Sequence, residues 1–301
     1  MASSTIQGLR SVALDVPDLD KAEAFYTQIW HLAVAAREPN AVYFRGTGPD
    51  HHLLALHRGP RTAIRHVTLR ARSEQALHTI AHACAEAGGS VADPVGPARD
   101  PAGGLALRIR DGDGRLIEIV DGDARHADVG EHPDRPSRLA HAVLNSDDVP
   151  ATQRFFERAL DFRLSDRTRI MAFMNCNSDH HTIALGDTDN NALNHIAFVM
   201  PDVESVMRGG GRMKDAGYGI EWGPGRHGPG DNAFNYFIGP SGEVIEYTAG
   251  VEQIDDSYLA GGPDDWKWPP GRLDQWGISA PPSARLKAAQ SSVFFAAGSA
   301  A

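Results

Sequence analysis

Cysteine is almost absent: Cys84 and Cys176 are the only two in 301 residues, at unrelated positions. That rules against a disulfide framework and a cysteine-built zinc site, and it suits a reducing compartment. Long apolar runs are missing too. No stretch approaches the roughly 20 residues needed to span a bilayer, and the opening MASSTIQGLRSVALDV has neither the charged start nor the apolar run of a secretory signal. Excess positive charge is also lacking, with 29 Lys and Arg against 39 Asp and Glu and a net charge of -10. Nucleic acid and anionic membrane surfaces are therefore not expected partners, because both are bound through basic surface. These absences describe a soluble cytoplasmic protein. What is present, 42% hydrophobic residues with 31 Gly and 19 Pro, fits two domains with real cores rather than a helical bundle.

The chain is written twice. LRSVALDV, starting at Leu9, pairs with LAHAVLNS, starting at Leu139, and the helix-like DLDKAEAFYTQIW pairs with DVPATQRFFERAL, setting Phe25 against Phe155. HHLLAL matches HHTIAL, RHVTLRA matches NHIAFVM with His66 against His195, and GRLIEIVDG matches GEVIEYTAG with Glu118 against Glu246. Each copy reads as strand, helix, three strands, helix, then a Gly-rich loop and closing strands, with period-2 alternation in HHTIAL and NHIAFVM. The expected fold class is α+β. Residues 1–122 form one domain and 139–250 the other, joined by the polar linker DARHADVGEHPDRPSR over 123–138. Residues 251–301 have no partner in the repeat; they read as an extended arm packed on the C-terminal half, then a short helix or frayed end.

Folding alone would preserve the hydrophobic pattern, so the informative positions are polar ones kept in only one copy. Ser11 stands where the second copy has His141, whereas His195 and Glu246 have counterparts in His66 and Glu118. Only the C-terminal half keeps two His and one Glu on three strands, the ligand types of a 2-His-1-carboxylate facial triad. Glu246 otherwise puts a charge inside the apolar strand Val244-Ile245-Glu246-Tyr247, which calls for a partner or a metal. His227 and Tyr236 have no match in PARDPAGGLALRIRDGDG. Of the adjacent pair, His180 reads as structural and His181 as functional, with His181 sharing a strand face with Ile183 and Leu185.

In order, LAHAVLN, CNSDHHTIAL, LNHIAFVM, GRHGPGDNAFNYF and GEVIEY resemble the type I extradiol dioxygenases of the vicinal oxygen chelate superfamily, over residues 8–250. That resemblance implies tandem βαβββ modules in each domain, forming an open half-barrel around the metal, with a metal-free N-terminal domain. It implies metal ligation by His141, His195 and Glu246, and acid/base or oxygen-orienting roles for His181, His227 and Tyr236. The implied cofactor is Fe(II), with Mn(II) an alternative, and the implied partners are a small aromatic diol, O2 and further copies of the chain in a homo-oligomer. Pocket candidates are Val143 and Phe173 on strands, Trp222 and Asn232 near the Gly-rich loop, and Trp266, Trp268 and Arg272 in the arm. Arg272 would meet a substrate carboxylate, or else serve as a surface ion pair or stacking residue. Glyoxalase-like isomerases and epimerases, which need carboxylate bases, and a metal-free aromatic-binding protein are the rival readings.

Overall fold

Alternating strands and short amphipathic helices recur in the same order in both halves of the computed structural model, which describes residues 3–296. The N-terminal half runs β1 (Ile6–Val16), α1 (Leu19–Gln28), β2 (Ala33–Glu38), β3 (Ala41–Arg45), β4 (Leu54–Arg58), β5 (Ala63–Ala71), α2 (Glu74–Glu86), β6 (Ser90–Pro97), β7 (Leu105–Arg110) and β8 (Leu116–Asp121). The C-terminal half repeats this as β9 (Leu139–Ser146), α3 (Val149–Leu160), β10 (Arg163–Arg167), β11 (Met171–Asn175), β12 (Ile183–Asp187), β13 (Leu193–Val199), α4 (Val203–Asp215), β14 (Trp222–Arg226), β15 (Ala233–Ile238) and β16 (Val244–Ala249). A last helix, α5, covers Ala284–Ala289.

Each half is one eight-stranded sheet, ordered β2-β3-β4-β1-β5-β8-β7-β6 and β10-β11-β12-β9-β13-β16-β15-β14. Within a βαβββ module the helix crossover places the first strand beside the last in parallel, as β9 beside β12 and β13 beside β16. Two modules then join antiparallel through β9 and β13. Four strands, not three, separate the helices of each half. The additional ones, β2 (AVAARE) and β10 (RLSDR), are sheet edges: β2 is nowhere fully buried, and β10 buries the polar Ser165 and Asp166, so the hydrophobic alternation that marks interior strands is weak in them.

Helix starts are set by side-chain caps. Asp148 accepts from the amide of Ala151 and Asp202 from that of Ser205, satisfying N–H groups the helix leaves free. On α4, Arg212 and Lys214 lie in the last turn, where the helix dipole favours cations. Gly209 lets this helix press onto the sheet: a Cβ there would sit 2.7 Å from the Tyr247 ring.

One apolar core runs through both halves. Trp30 of the first half stacks on Tyr247 of the second at 3.6 Å between ring centres and 8° between planes, and the Tyr26 hydroxyl donates to Glu243 Oε1 at 2.6 Å. The arm bonds to both edge strands of the C-terminal sheet, with hydrogen bonds from Arg167 N on β10 to Gly261 O and from Gln275 N to Arg226 O on β14. The tail beyond it touches both halves, bridging Val293 to Leu193 and Phe295 to Ile64. Residues 297–301, the end of the expected helix or frayed terminus, lie outside the described residues. Among the described residues no helix is long and apolar enough to cross a membrane, and both cysteines are buried and free.

Candidate metal centre and its counterpart

Strand register brings the three proposed ligands to one spot. Ala197 on β13 pairs with His141 on β9 and with Glu246 on β16, while His195 precedes Ala197 by two residues and so shares its face. The small Ala197 side chain leaves the crossing open. Glu246 Oε2 lies 3.2 Å from both His141 Nε2 and His195 Nε2, and the two nitrogens are 3.3 Å apart. Those separations suit three ligands sharing one cation on bonds of roughly 2.0–2.2 Å. All three side chains are buried. Burial alone would raise the Glu246 pKa, but hydrogen bonds with His141 and His195 outweigh it and hold the carboxyl well below its ordinary range. A buried carboxylate and two imidazole nitrogens converging in this way fit a divalent metal.

His181 sits directly behind the triad, its ring 4.3 Å from that of His141 and 5.1 Å from Phe173. Burial, then the neighbouring His141, push its pKa well below the usual histidine value, so the ring stays neutral. Gly230 at φ +81° makes this close approach possible; a Cβ there would come within 2.9 Å of His181 Cε1. His180 turns away and contacts Asp166 Oδ2 at 2.9 Å, where the Tyr258 hydroxyl also donates. The expected shared face of His181 with Ile183 and Leu185 is corrected: those two enter the core under the helices, while His181 joins the site. The strand begins only at Ile183, and the turn before it does not follow the period-2 alternation.

Tyr236 on β15 is the register partner of Glu246. Its hydroxyl is 3.4 Å from His195 Nε2 and 3.0 Å from His227 Nε2. Burial and then the Glu246 charge raise the phenol pKa well above normal, so it remains a donor. Burial lowers His227 to about 4, which keeps its imidazole neutral. The structure thus gathers His141, His181, His195, His227, Tyr236 and Glu246 together.

The pocket candidates divide. Val143 and Phe173 form a small apolar cluster with Ala184, and Trp222 stacks on Tyr236 at 5.0 Å and lies 5.2 Å from His227. Asn232 is tied to the protein, donating to Glu246 Oε1 at 3.4 Å and to Thr248 Oγ1 at 2.7 Å. Arg272 donates to the carbonyls of Asp274 and Gln275 within its own loop. Trp266 and Trp268 pack against Gly228, beside His227. Sequence reasoning missed Asn194, whose Oδ1 lies 2.8 Å from His195 Nδ1; its place just before the histidine was the available signal.

The matching place in the N-terminal half is filled by arginines. Arg108, the β7 partner of Glu118 as Tyr236 is of Glu246, donates through Nε to Glu118 Oε2 at 2.7 Å. His66 Nε2 is 3.7 Å from the same carboxylate. Fully buried Arg10 donates to Ser11 Oγ at 2.9 Å, to His52, to Asp100 Oδ2 at 2.9 Å and to Asp123 Oδ2 at 3.1 Å. Burial, then Arg10, push the His52 pKa far down, so its neutral ring accepts from the guanidinium.

The chain belongs to the Glyoxalase/Bleomycin resistance protein/Dioxygenase superfamily, which residues 8–119 and 138–247 both match. Its relatives include extradiol dioxygenases, in line with the resemblance read from the sequence. Metapyrocatechase 2 of Cupriavidus necator is 33% identical over 198 residues, 62% of this chain but only 57% of that protein's length. The manganese-dependent 2,3-dihydroxybiphenyl 1,2-dioxygenase of Geobacillus genomosp. 3 is 24% identical over 81% of this chain and 85% of its own. Among solved structures, the Mn(II)-bound glyoxalase of Novosphingobium aromaticivorans superposes with a TM-score of 0.87 at 32% identity, covering 95% of this chain and 94% of that one. A single-residue variant of homoprotocatechuate 2,3-dioxygenase of B. fuscum shares the fold, with a TM-score of 0.82 at 22% identity over 92% of this chain and 79% of its own.

Proposed function

We propose that this protein is an extradiol dioxygenase that opens the ring of a catecholic compound with O2 and incorporates both oxygen atoms into a muconic semialdehyde-type product. His141, His195 and Glu246 would hold Fe(II), with Mn(II) an accepted alternative given the manganese in two related proteins. Bound there, the metal would supply a Lewis-acidic, redox-capable centre for the reaction of the diol with O2. Val143, Phe173 and Trp222 give the ring an apolar wall and exclude water. Neutral His181 takes a diol proton at a ring nitrogen, a step not open to the phenol of Tyr236, which stays protonated, and then serves as the acid during cleavage. Tyr236 and His227 orient the substrate oxygens through hydrogen bonds preorganised before the substrate arrives. The first 122 residues act as the metal-free structural domain, and the enzyme works in the cytoplasm as a homo-oligomer.

The observation that carries this reading is the His227–Tyr236 pair at 3.0 Å, with the phenol reaching His195 and no imidazole–phenol pair in the corresponding N-terminal stretch. An isomerase of the glyoxalase type, suggested by the name of the Novosphingobium neighbour, would need a carboxylate base facing the substrate. Here Glu246 is the triad's single carboxylate, and Asp166 is engaged by His180, Tyr258 and the amide of Gly261. Loading the protein with Fe(II) under anaerobic conditions, then adding catechols and air, tests the proposal. A yellow product heavier than the diol by two oxygen atoms supports it; no oxygen uptake across a panel of monocyclic, bicyclic and trihydroxylated substrates would remove it.

A further inference from the structure

Behind His195 lies a closed ring of amides that starts in the C-terminal tail. Gln290, at the end of α5, donates from Nε2 to Asn194 Oδ1 at 2.9 Å, the oxygen that faces His195 Nδ1 at 2.8 Å. Asn194 Nδ2 donates to Asn145 Oδ1 at 2.9 Å, and Asn145 Nδ2 donates to the backbone carbonyl of Gln290 at 2.8 Å. The tail is pinned on either side of the pseudo-repeat, by Leu193 N to Val293 O at 2.8 Å and Ile64 N to Phe294 O at 2.9 Å.

The direction of every bond in this ring follows from one group. A side-chain amide can be turned either way, but a backbone carbonyl only accepts. The Gln290 carbonyl therefore requires the nitrogen of Asn145. Asn145 must then offer its oxygen to Asn194, Asn194 must give it a nitrogen, and the Asn194 oxygen is left for His195. His195 Nδ1 therefore meets an acceptor, which orients the ring with Nε2 toward Glu246 Oε2 and His141 Nε2 and fits a proton on Nδ1 once Nε2 is a metal ligand. In the N-terminal half the corresponding residues are Arg65 and Asp15, an ion pair at 2.8 Å that forms no such ring.

We infer that the C-terminal tail, acting through Gln290, Asn145 and Asn194, sets the orientation of His195 and, with a metal on Nε2, its tautomer, so that Gln290 and Asn194 are positioning residues for the metal centre. The metal and tautomer parts of this statement rest on the proposed function; the orientation of the ring does not.

Two measurements on the full chain separate them. In nitrogen-15 spectra of the Zn(II)-loaded protein, His195, assigned with a His195→Gln variant, should carry a proton on Nδ1 that exchanges slowly with water; Asn194→Leu should lose that protection, and Asn194→Asp should keep it. Mn(II) titration followed by the free-ion EPR signal should show binding weakened about 10- to 100-fold in Asn194→Leu and restored to within about 3-fold in Asn194→Asp. Gln290→Met, which keeps shape without a donor, should weaken binding by about 3-fold alone and have no further effect beside Asn194→Leu. A bare Nδ1 in the unsubstituted protein overturns the inference, as does an Asn194→Leu variant unchanged in both readouts. So does a Gln290→Met effect of equal size in both backgrounds. No uptake of Mn(II) or Zn(II) would overturn the metal reading; the orientation is then read from the metal-free His195 Nδ1 shift, which Asn194→Leu should move and which, unmoved, overturns the inference.

Discussion

The two halves share a sheet order strand for strand, yet they neutralise the same buried glutamate in opposite ways. In the first, Arg108 stands beside Glu118 and Arg10 fills the neighbouring space, so the positive charge is part of the chain. In the second, Tyr236 occupies the place of Arg108, Ala140 that of Arg10, and His141 that of Ser11. On the proposed reading, the compensating charge there is a bound metal. A buried carboxylate demands a partner wherever it occurs; in the first half a fixed guanidinium closes the site, while in the second two imidazoles converge on the carboxylate and a metal is the proposed counter-charge.

The sharpest way to break this contrast is Glu246→Ala, expected to abolish metal uptake and lower turnover on the order of 10³-fold or more; unchanged metal content by elemental analysis would refute the assignment. Next is His181→Ala, which should keep its metal and still bind catechol while turnover falls about 10²- to 10⁴-fold, measured by steady-state oxygen uptake. Arg108→Met should leave metal stoichiometry intact but destabilise the fold by about 3–5 kcal/mol in urea denaturation, because Glu118 loses its close partner. Tyr236→Phe should cost about 10²-fold in kcat with little change in stability. The smallest effect concerns His57 in the N-terminal half, lowered to about 4 by burial and then by Arg65. Its neutral form is favoured in the fold, so the stability it contributes is present above pH 6.5 and fades as pH falls toward 4. His57→Asn should flatten that slope by on the order of 1 kcal/mol.

Much of the centre was legible because the chain carries its own control. Comparing copies exposed His141 against Ser11 and set His227 and Tyr236 apart. Arg108 was equally visible, since LALRIR aligns with AFNYFI, but a search for reactive groups passes over a residue that replaces one. The strands β2 and β10 escaped because edge strands need not alternate, and His181 was put on the wrong face because its turn breaks the strand period. Asn232 read as a pocket residue; its hydrogen bonds to Glu246 and Thr248 depend on pairing between distant strands. Gln290 gave no local sign at all, since its contact with Asn194 exists only once the tail has folded back.

Titrating catechol-dependent oxygen uptake against Fe(II) added per chain under anaerobic loading tests the central claim most directly. The account predicts activity that rises linearly, saturates at one Fe(II) per chain and consumes one O2 per catechol. Saturation at two Fe(II) per chain, or no uptake at any loading, would contradict it.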